Sequence, residues 1–214
     1  MRIKVWGVDG ILGDMRGGRG TISEININYA IILYMEMFDI LNSDGTSANI
    51  VASKKDAHSK GLWHRAAHIW FVNNQGEILL QKRADNIESH PGKFDISAAG
   101  HLSAGDTKTA GALREVEEEL GIKLEEKDLV NIGEIHGEYT QHNGTYINKE
   151  YNDIYVVHKD IPISDFKIQE SEVSLVKYIS IDDLKELIRN QKESIVNHAE
   201  EFEILFNYLK NIKK

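Results

Sequence analysis

The sequence predicts an α/β (α+β) fold in which helices cover a mixed β-sheet. Strand-like apolar runs and helical patterns follow one another irregularly along the chain, and no internal repeat is present. The runs at 66–73 and 78–82 flank Asn74-Gln75-Gly76, which is a hairpin signal. Apolar residues recur at helical spacing after residue 194 and predict a C-terminal amphipathic helix.

Shorter signals predict the remaining elements. The turn cluster Asn42-Ser43-Asp44-Gly45 separates two predicted strands, at 37–41 and 49–52. Further strands are predicted at 130–138, 153–157 and 175–179, and a short run at 94–99 leads into Gly100. Ser180 and Asp183 form the pattern of a capping box and predict a helix that continues to about residue 189.

Residues 1–34 differ from the rest of the chain in composition. This stretch holds six of the 17 glycines and has weak periodicity, without the glycine pattern of a phosphate-binding loop. We expect a Gly-rich flexible leader, which an artefact or a misassigned start codon would explain, since Met35 and Met37 are alternative starts. Residues 35–214 are expected to form a single domain, because 214 residues fit one domain with an appendage.

The composition excludes several classes of function. The chain carries 34 acidic and 25 basic residues, a net charge of −9, which disfavours binding to nucleic acid polymers and to anionic membranes. It contains no cysteine, so thiolate metal sites and cysteine nucleophiles are excluded. No apolar run approaches the roughly 20 residues that span a bilayer, and no signal peptide is recognised. We therefore expect a cytoplasmic protein.

The predicted helix at 107–120 carries the most informative residues. Asp106 is expected to be its N-cap or an acid of its first turn, and Gly121 is expected to end it. Three carboxylates share one face of this helix, at i, i+3 and i+4: Glu115, Glu118 and Glu119. Leu113, Val116 and Leu120 lie on a different face, which belongs in the core.

Two interpretations of the carboxylate face stay open on these residues alone. Like charges at this spacing repel one another, and hard divalent cations such as Mg²⁺ prefer carboxylate oxygens. The carboxylates therefore predict a metal site. The alternative is a solvated acidic face with Lys108 and Arg114 nearby.

The spacing of the surrounding residues resembles the Nudix box. Gly100 is followed after five residues by Asp106, and after seven more by Arg114-Glu115-Val116-x-Glu118-Glu119-x-Gly121-Ile122. One fixed position differs, since Asp106 stands where the family usually has glutamate. The flanking segments at 81–83 (QKR), 94–97 (FDIS) and 172–184 (EVSLVKYISIDDL) also resemble the family, so the resemblance covers about residues 36–190.

The resemblance implies a Nudix fold, which is a mixed sheet in an α/β/α sandwich with a loop–helix–loop that binds Mg²⁺ or Mn²⁺. The implied metal ligands are Glu115, Glu118, Glu119 and the carbonyl of Gly100, and one of the glutamates positions the attacking water. Arg114 is implied to orient the glutamates through charge-assisted hydrogen bonds. The implied activity is hydrolysis of a diphosphate that links a nucleoside to another moiety, X. Aspartate at position 106 is expected to modulate this activity and not to abolish it.

A second resemblance is to the Nudix branch that contains type I isopentenyl-diphosphate isomerase. It implies a second metal site at His58, His64 and His101, for which the alternative is a structural role. The isomerase uses a cysteine where this chain has Ala99. Its later pair of carboxylates falls near Glu150 and Asn152, so one carboxylate of the pair is replaced. Because the Nudix box is nearly intact, we favour a hydrolase over an isomerase-like enzyme or a non-catalytic nucleotide sensor.

The expected partner is a small-molecule diphosphate substrate, with no nucleic acid polymer and no membrane. Candidate substrate-binding residues are Lys82, Arg83 and Glu172, although a surface role is an equal alternative for the two basic residues. The loops outside the Nudix box determine which moiety X is accepted, so the sequence leaves the identity of X open. Members of the Nudix family often dimerise, and a homodimer is therefore one expectation.

Overall fold

The computed structural model describes residues 4–6, 36–87, 89–190 and 192–212. These residues fall into two compact units. The first unit contains the described residues up to Arg65 together with His101–Asp106 and His136–Tyr151, and the second contains Ala66–Gly100, Thr107–Ile135 and the described residues from Asn152 on. Most of the predicted leader lies outside the described residues, except strand β1 (Lys4–Trp6).

A three-stranded sheet and a short helix form much of the first unit. Strands β2 (Met37–Leu41) and β3 (Ser47–Ser53) pair antiparallel around the predicted turn, and β1 pairs with β3 in parallel. Gly45 closes the turn with φ of 78°, a left-handed conformation that glycine adopts without strain. The small core of this unit contains Phe38, Ile40, Ala52 and Ala57.

Helix α1 (Lys54–Lys60) follows β3 directly and was not predicted. The Ser53 side chain caps it by accepting a hydrogen bond from the Asp56 amide, and Gly61 ends it with φ of 60°. The helix buries Ala57 and His58. Its seven residues are too few for a clear apolar periodicity, which explains why the sequence pattern did not reveal it.

The larger sheet has seven strands. They are β4 (His64–Val72), β5 (Ile78–Arg83), β6 (Phe94–Asp95), β7 (Ala98–His101), β8 (Val130–Gln141), β9 (Tyr146–His158) and β10 (Val173–Ile179). The strand order is β10-β5-β4-β9-β8, with β6 paired to β5 and β7 paired to β4. The predicted hairpin and the later strands are confirmed. The run at 94–99 contributes to two short strands.

Three helices complete the second unit: α2 (Lys108–Leu120), α3 (Ile181–Asn190) and α4 (Ala199–Ile212). The main core of this unit includes Trp70, Leu80, Ile154, Leu184 and Leu205, contributed by three strands and by the helices α3 and α4. The Ser180 hydroxyl accepts from the Asp183 amide at 3.1 Å, which confirms the predicted cap of α3. The mixed sheet with covering helices confirms the predicted fold class.

Helix α2 begins one residue later than the predicted acidic cap. Thr107 is the N-cap, and its hydroxyl accepts from the Ala110 amide. Asp106 instead accepts from the Ser103 amide at 3.0 Å within the preceding turn, so its predicted capping role is wrong. Gly121 ends the helix as predicted, with φ of 67°.

Within the part of the chain that the structure describes, every helix is too short or too polar to cross a lipid bilayer.

Candidate active site

The carboxylate face of α2 has two buried members and one exposed member. Glu115 and Glu119, one turn apart, expose 8% and 4% of their surface, whereas the Glu118 side chain is 53% exposed. Glu117 points away from this face and pairs with Lys123 at 3.1 Å. A wholly solvated acidic face is therefore the wrong description, because two of the three carboxylates are removed from water.

Strands β5 and β7 surround the Glu119 carboxylate. Its Oε2 accepts from the backbone amide of Ala99 at 3.1 Å and from Gln81 Nε2 at 3.3 Å. The other amide atom, Gln81 Oε1, is buried and has no hydrogen-bond partner among the described residues. Burial and the neighbouring Glu115 charge raise the pKa of Glu119 well above its usual range, because both disfavour the ionised form.

Arg114 joins the buried and the exposed carboxylates. Its Nη1 donates to Glu115 Oε1 at 2.8 Å and to Glu118 Oε2 at 2.9 Å. Such charge-assisted hydrogen bonds fix the orientation of the two carboxylates. The predicted orienting contacts are thus present, on one turn of α2.

Gly100 is required by its closeness to α2. A Cβ atom at this position would overlap the Glu115 carboxylate group. The backbone of β7 therefore passes directly against that carboxylate, as expected if the Gly100 carbonyl and Glu115 serve one site.

The donor set of this site fits a hard divalent cation. The site offers two buried carboxylates, and Gln81, which contacts Glu119, has an unpartnered amide oxygen; all are oxygen donors of the kind that Mg²⁺ and Mn²⁺ accept. Without a cation or a proton, the Glu115–Glu119 pair carries costly repulsion in a buried place.

The three candidate substrate-binding residues occupy different places. Gln81 and Arg83 are two apart on β5 and share the sheet face that meets Glu119, whereas Lys82 lies on the opposite face by the alternation of a strand. The structure therefore does not place Lys82 on the face that meets the carboxylates. Glu172 is exposed, and its negative charge adds to the raised pKa of Glu119.

The first unit holds a cluster of metal-ligating side chains. It contains the three predicted histidines, His58, His64 and His101, together with Glu150, and one ligand atom from each lies within 4.8 Å of all the others. Glu150 Oε1 is 2.9 Å from His101 Nε2 and 3.6 Å from His64 Nε2. The sequence already indicated Glu150 as the retained acid of the isomerase-type pair.

Two imidazole nitrogens of this cluster lack a hydrogen-bond partner among the described residues. The Nδ1 atoms of His58 and His64 lie 2.9 and 2.8 Å from the backbone carbonyls of Lys54 and Leu62, which fixes their protons there. The Nε2 atoms of both rings are buried and have no hydrogen-bond partner among the described residues. This arrangement, with one nitrogen anchored and the other free, is typical of histidines that bind metal ions.

The charges of the histidine cluster are unevenly distributed. Burial and the neighbouring imidazoles lower the pKa of His58 to about 4. Burial opposes ionisation of His101, yet Glu150 and Glu36 together raise its pKa to about 9. The cluster therefore combines one cationic and one neutral imidazole with a carboxylate.

Several polar residues of the second unit were missed by the sequence analysis. The sequence identified Gln81 only as part of the QKR segment that resembles the family. Its contact with Glu119 follows from its position on β5. Asp95 and Glu201 are buried, and His198 is largely buried. His198 hydrogen-bonds to Asp95, and Glu201 hydrogen-bonds to His68 and Trp70 on β4. A buried glutamate inside an amphipathic helix gives no local signal, because its partners lie more than 130 residues away in the chain.

Comparison with known proteins agrees with these observations. The NUDIX domain family model matches residues 62–199, more than half of the chain. Nudix hydrolase 3 of Arabidopsis thaliana is 39% identical over 164 residues, which are 75% of this chain and 21% of that protein. The chain therefore spans about a fifth of the length of this relative.

Two further similarities concern the branch and the fold. Isopentenyl-diphosphate Delta-isomerase 2 of Photorhabdus laumondii is 34% identical over 140 residues, covering 65% of this chain and 75% of that protein. A crystal structure of a Deinococcus radiodurans protein superposes with a TM-score of 0.57 at 16% identity, covering 80% of this chain and 98% of that one. The family match, the hydrolase relative and the carboxylate helix lead to one conclusion: the chain belongs to the Nudix hydrolase family of enzymes.

Proposed function

We propose that the chain catalyses the divalent-metal-dependent hydrolysis of a diphosphate linkage in a nucleoside diphosphate–X substrate. The observation that carries this proposal is the pair of buried carboxylates, Glu115 and Glu119, packed against Gly100 and oriented by Arg114. Mg²⁺ or Mn²⁺ bound there would neutralise the diphosphate and favour ionisation of a water molecule.

The side chains of this site have distinct tasks in the proposed reaction. Arg114 holds Glu115 and Glu118 in a fixed relation, so the carboxylates need little rearrangement when the substrate arrives. The Ala99 amide and Gln81 hold Glu119 in the same way. One of the glutamates orients the attacking water and accepts its proton.

The proposed reaction exchanges one bond to phosphorus for another. The water oxygen forms a new bond to one phosphorus of the diphosphate, and the bond from that phosphorus to the bridging oxygen breaks. The bridging oxygen leaves with the other phosphate. The products are therefore two phosphate monoesters, one carrying the nucleoside and one carrying X.

A turnover screen tests the proposal. The wild type, Glu115→Gln and Glu118→Gln are incubated with Mg²⁺ or Mn²⁺ and with ADP-ribose, dinucleoside polyphosphates, NADH, nucleotide sugars, CoA, nucleoside triphosphates and isopentenyl diphosphate. Glu117→Gln is the matched control, since Glu117 lies on the same helix but faces away from the site. We expect phosphate-containing fragments from the wild type and the control, and a loss of at least about 100-fold in both site variants.

Three other results would contradict the proposal. Equal activity of the two site variants and the control would separate the reaction from the carboxylate face. Nucleotide binding without any product would indicate a sensor. Isomerisation of isopentenyl diphosphate without hydrolysis would indicate an isomerase.

The histidine cluster favours the isomerase-like enzyme as a second candidate function. The free Nε2 atoms of His58 and His64, together with Glu150, support a second metal site. Against this function, Ala99 has no side-chain acid or base at the position where the isomerase has its cysteine, and the chain has no cysteine elsewhere. The metal site is therefore proposed independently of isomerase chemistry.

Metal analysis of the purified protein tests the second site. We expect His64→Ala to bind less Mn²⁺ or Zn²⁺ than the wild type in equilibrium dialysis, with the Glu115→Gln variant keeping this metal. His158→Ala is the control, because His158 hydrogen-bonds to Tyr208 and is not a member of the histidine cluster. Equal metal binding by all variants would contradict a site at the histidines.

A further inference from the structure

A network of alternating charges lies beside the carboxylate site in the second unit. It runs from Arg83 on β5 to Asp95 on β6, then to His198 just before α4, and ends at Glu201 on α4. The nearest atoms of these pairs are 3.1, 2.7 and 3.8 Å apart, respectively. None of these contacts is needed for the roles proposed for the α2 glutamates.

The far end of this network is anchored on β4. Glu201 is fully buried, and its Oε1 accepts from Trp70 Nε1 at 2.7 Å while its Oε2 lies 2.7 Å from His68 Nδ1. His68 and Trp70 are two residues apart on the strand and so share a face. The first turn of α4 is thereby fixed to the central part of the sheet.

The middle of the network is an imidazole between two carboxylates. His198 Nε2 is 2.7 Å from Asp95 Oδ1, and His198 Nδ1 faces Glu201 Oε2. Burial alone would lower the pKa of His198, but the Asp95 charge raises it to about 9. With His198 cationic, the two carboxylates of the network are balanced by two cations, His198 and Arg83.

His68, His198 and Glu201 also have the composition of a metal site, since ligand atoms of all three lie within 4.8 Å of one another. The contrast with the histidine cluster of the first unit is informative. There, two imidazole nitrogens lack partners, whereas both Glu201 oxygens and both Asp95 oxygens already have hydrogen-bond partners. Hydrogen bonds and ion pairs therefore account for this network without a metal.

The near end of the network holds a guanidinium in place. Arg83 Nη1 donates to Asp95 Oδ2 at 3.1 Å, and Arg83 Nε donates to the backbone carbonyl of Ser89 at 2.9 Å. No described residue hydrogen-bonds to Nη2, and the side chain is 23% exposed. One edge of the guanidinium is thus fixed while the other is open to a ligand.

The sheet register places Arg83 on the face of β5 that meets the carboxylate site. Asp95 pairs directly with Gln81, and Gln81 contacts Glu119. Arg83 shares the face of Gln81, and its charge partly offsets the raised pKa of Glu119. A fixed arginine next to buried carboxylates is suited to hold phosphate oxygens, because its planar donors match them.

We propose that Asp95 and His198 are positioning residues, which hold the Arg83 guanidinium as a diphosphate anchor beside the α2 carboxylates. This inference rests on the proposed function in one respect, namely that a diphosphate binds at this face. Asp95 restrains Arg83 directly. His198, fixed by Glu201, restrains Asp95.

A double-mutant cycle in diphosphate binding tests the inference without requiring turnover. The affinity of inorganic pyrophosphate with Mg²⁺ is measured by calorimetry for the wild type, Arg83→Ala, Asp95→Asn and the double variant. We expect the dissociation constant to rise about 10- to 100-fold in Arg83→Ala and about 3- to 10-fold in Asp95→Asn. The double variant is expected to equal Arg83→Ala, because Asp95 acts through Arg83.

The same double-mutant cycle, with His198→Ala in place of Asp95→Asn, tests the residue that restrains Asp95. His158→Ala is the matched control, since it removes another histidine contact to α4, at Tyr208. It is expected to leave pyrophosphate affinity unchanged. Melting temperatures of all variants separate a general loss of stability from a loss of binding.

Several results would overturn the inference. They are additive effects of Arg83→Ala and Asp95→Asn, no effect of either variant, and no pyrophosphate binding by the wild type. If the wild type retained a metal ion that Glu201→Gln lost, the result would indicate that His68, His198 and Glu201 bind a metal. If the cycle behaves as expected but no substrate is hydrolysed, the proposed function fails while the anchor stands.

Discussion

Gly100 places the sharpest steric constraint on the carboxylate site, since any Cβ there would overlap the Glu115 carboxylate. We predict that Gly100→Ala lowers kcat at least about 100-fold, because Glu115 must leave the position in which Arg114 holds it. Steady-state kinetics on the substrate found in the screen, together with the melting temperature, measure this effect.

Gly137 provides the control for this substitution. It also lies in a strand, and a Cβ atom there would meet nothing within 4 Å. Gly137→Ala should therefore keep full activity. If Gly100→Ala were as active as Gly137→Ala, the close approach of β7 to Glu115 would have no catalytic importance.

The residue types of the site could be predicted, but their burial could not. Helical spacing places Glu115, Glu118 and Glu119 on one face from the sequence alone. Which of them leave water depends on β5 and β7, and these strands cover Glu115 and Glu119 but not Glu118. Which of Lys82 and Arg83 shares the face of Gln81 likewise depends on the strand, since adjacent strand residues face opposite sides.

The start of helix α2 depends on one hydroxyl group. Thr107 accepts from the Ala110 amide at 3.1 Å and satisfies one of the free donors of the first turn. We predict that Thr107→Ala lowers the free energy of unfolding by about 1 kcal/mol. Urea denaturation measures this change, and Thr107→Ser, which keeps the hydroxyl, is the control. An equal loss in both variants would show that the hydroxyl is not the stabilising group.

Helix α2 illustrates how far local pattern determines an element. Its apolar stripe and Gly121 located it to within a residue. The cap was assigned to Asp106 because aspartate and threonine are both good caps and the two are adjacent in sequence. Only the structure shows that Asp106 is engaged by the Ser103 amide.

The charge network of α4 links stability to alkaline pH. The raised pKa of His198, about 9 against the usual 6.5, contributes stability that is fully present below about pH 6.5. This contribution falls as the pH rises and is lost through about pH 9. We predict that the free energy of unfolding of the wild type falls more steeply between pH 7 and 10 than that of Asp95→Asn.

Denaturation at several pH values checks this prediction. Asp95→Asn removes the charge that contributes most to raising the pKa of His198, ahead of Glu201, while the lysines and tyrosines that titrate in this range stay the same. Parallel curves for the two proteins would contradict a cationic His198. His158→Ala, which leaves Asp95 and His198 intact, should follow the slope of the wild type.

Contacts between distant parts of the chain account for what the sequence could not predict. His68 and Trp70 meet Glu201 across 133 and 131 positions, and Asp95 meets His198 across 103. No local periodicity encodes such pairs. The histidines of the first unit were found only because a family resemblance gave their positions, while Glu36 near His101 had no signal.

Metal binding at the α2 carboxylates should couple protein stability to pH in the opposite direction. The pKa of Glu119 is raised by burial and by Glu115, and a proton on Glu119 competes with a cation. The rise in melting temperature caused by Mg²⁺ should therefore grow as the pH increases from 5 to 8. At a metal concentration about 100 times the dissociation constant, binding contributes about 2.7 kcal/mol, or roughly 5–10 °C.

Two variants identify the source of this effect. Glu119→Gln removes the competing proton and one ligand, so its Mg²⁺-dependent rise should be smaller and nearly independent of pH. His64→Ala should behave as the wild type, because His64 belongs to the cluster of the first unit and not to the α2 carboxylates. A rise that persists in Glu119→Gln and disappears in His64→Ala would place the stabilising ion at the histidines. That outcome would contradict the proposal that the buried α2 carboxylates hold the catalytic metal.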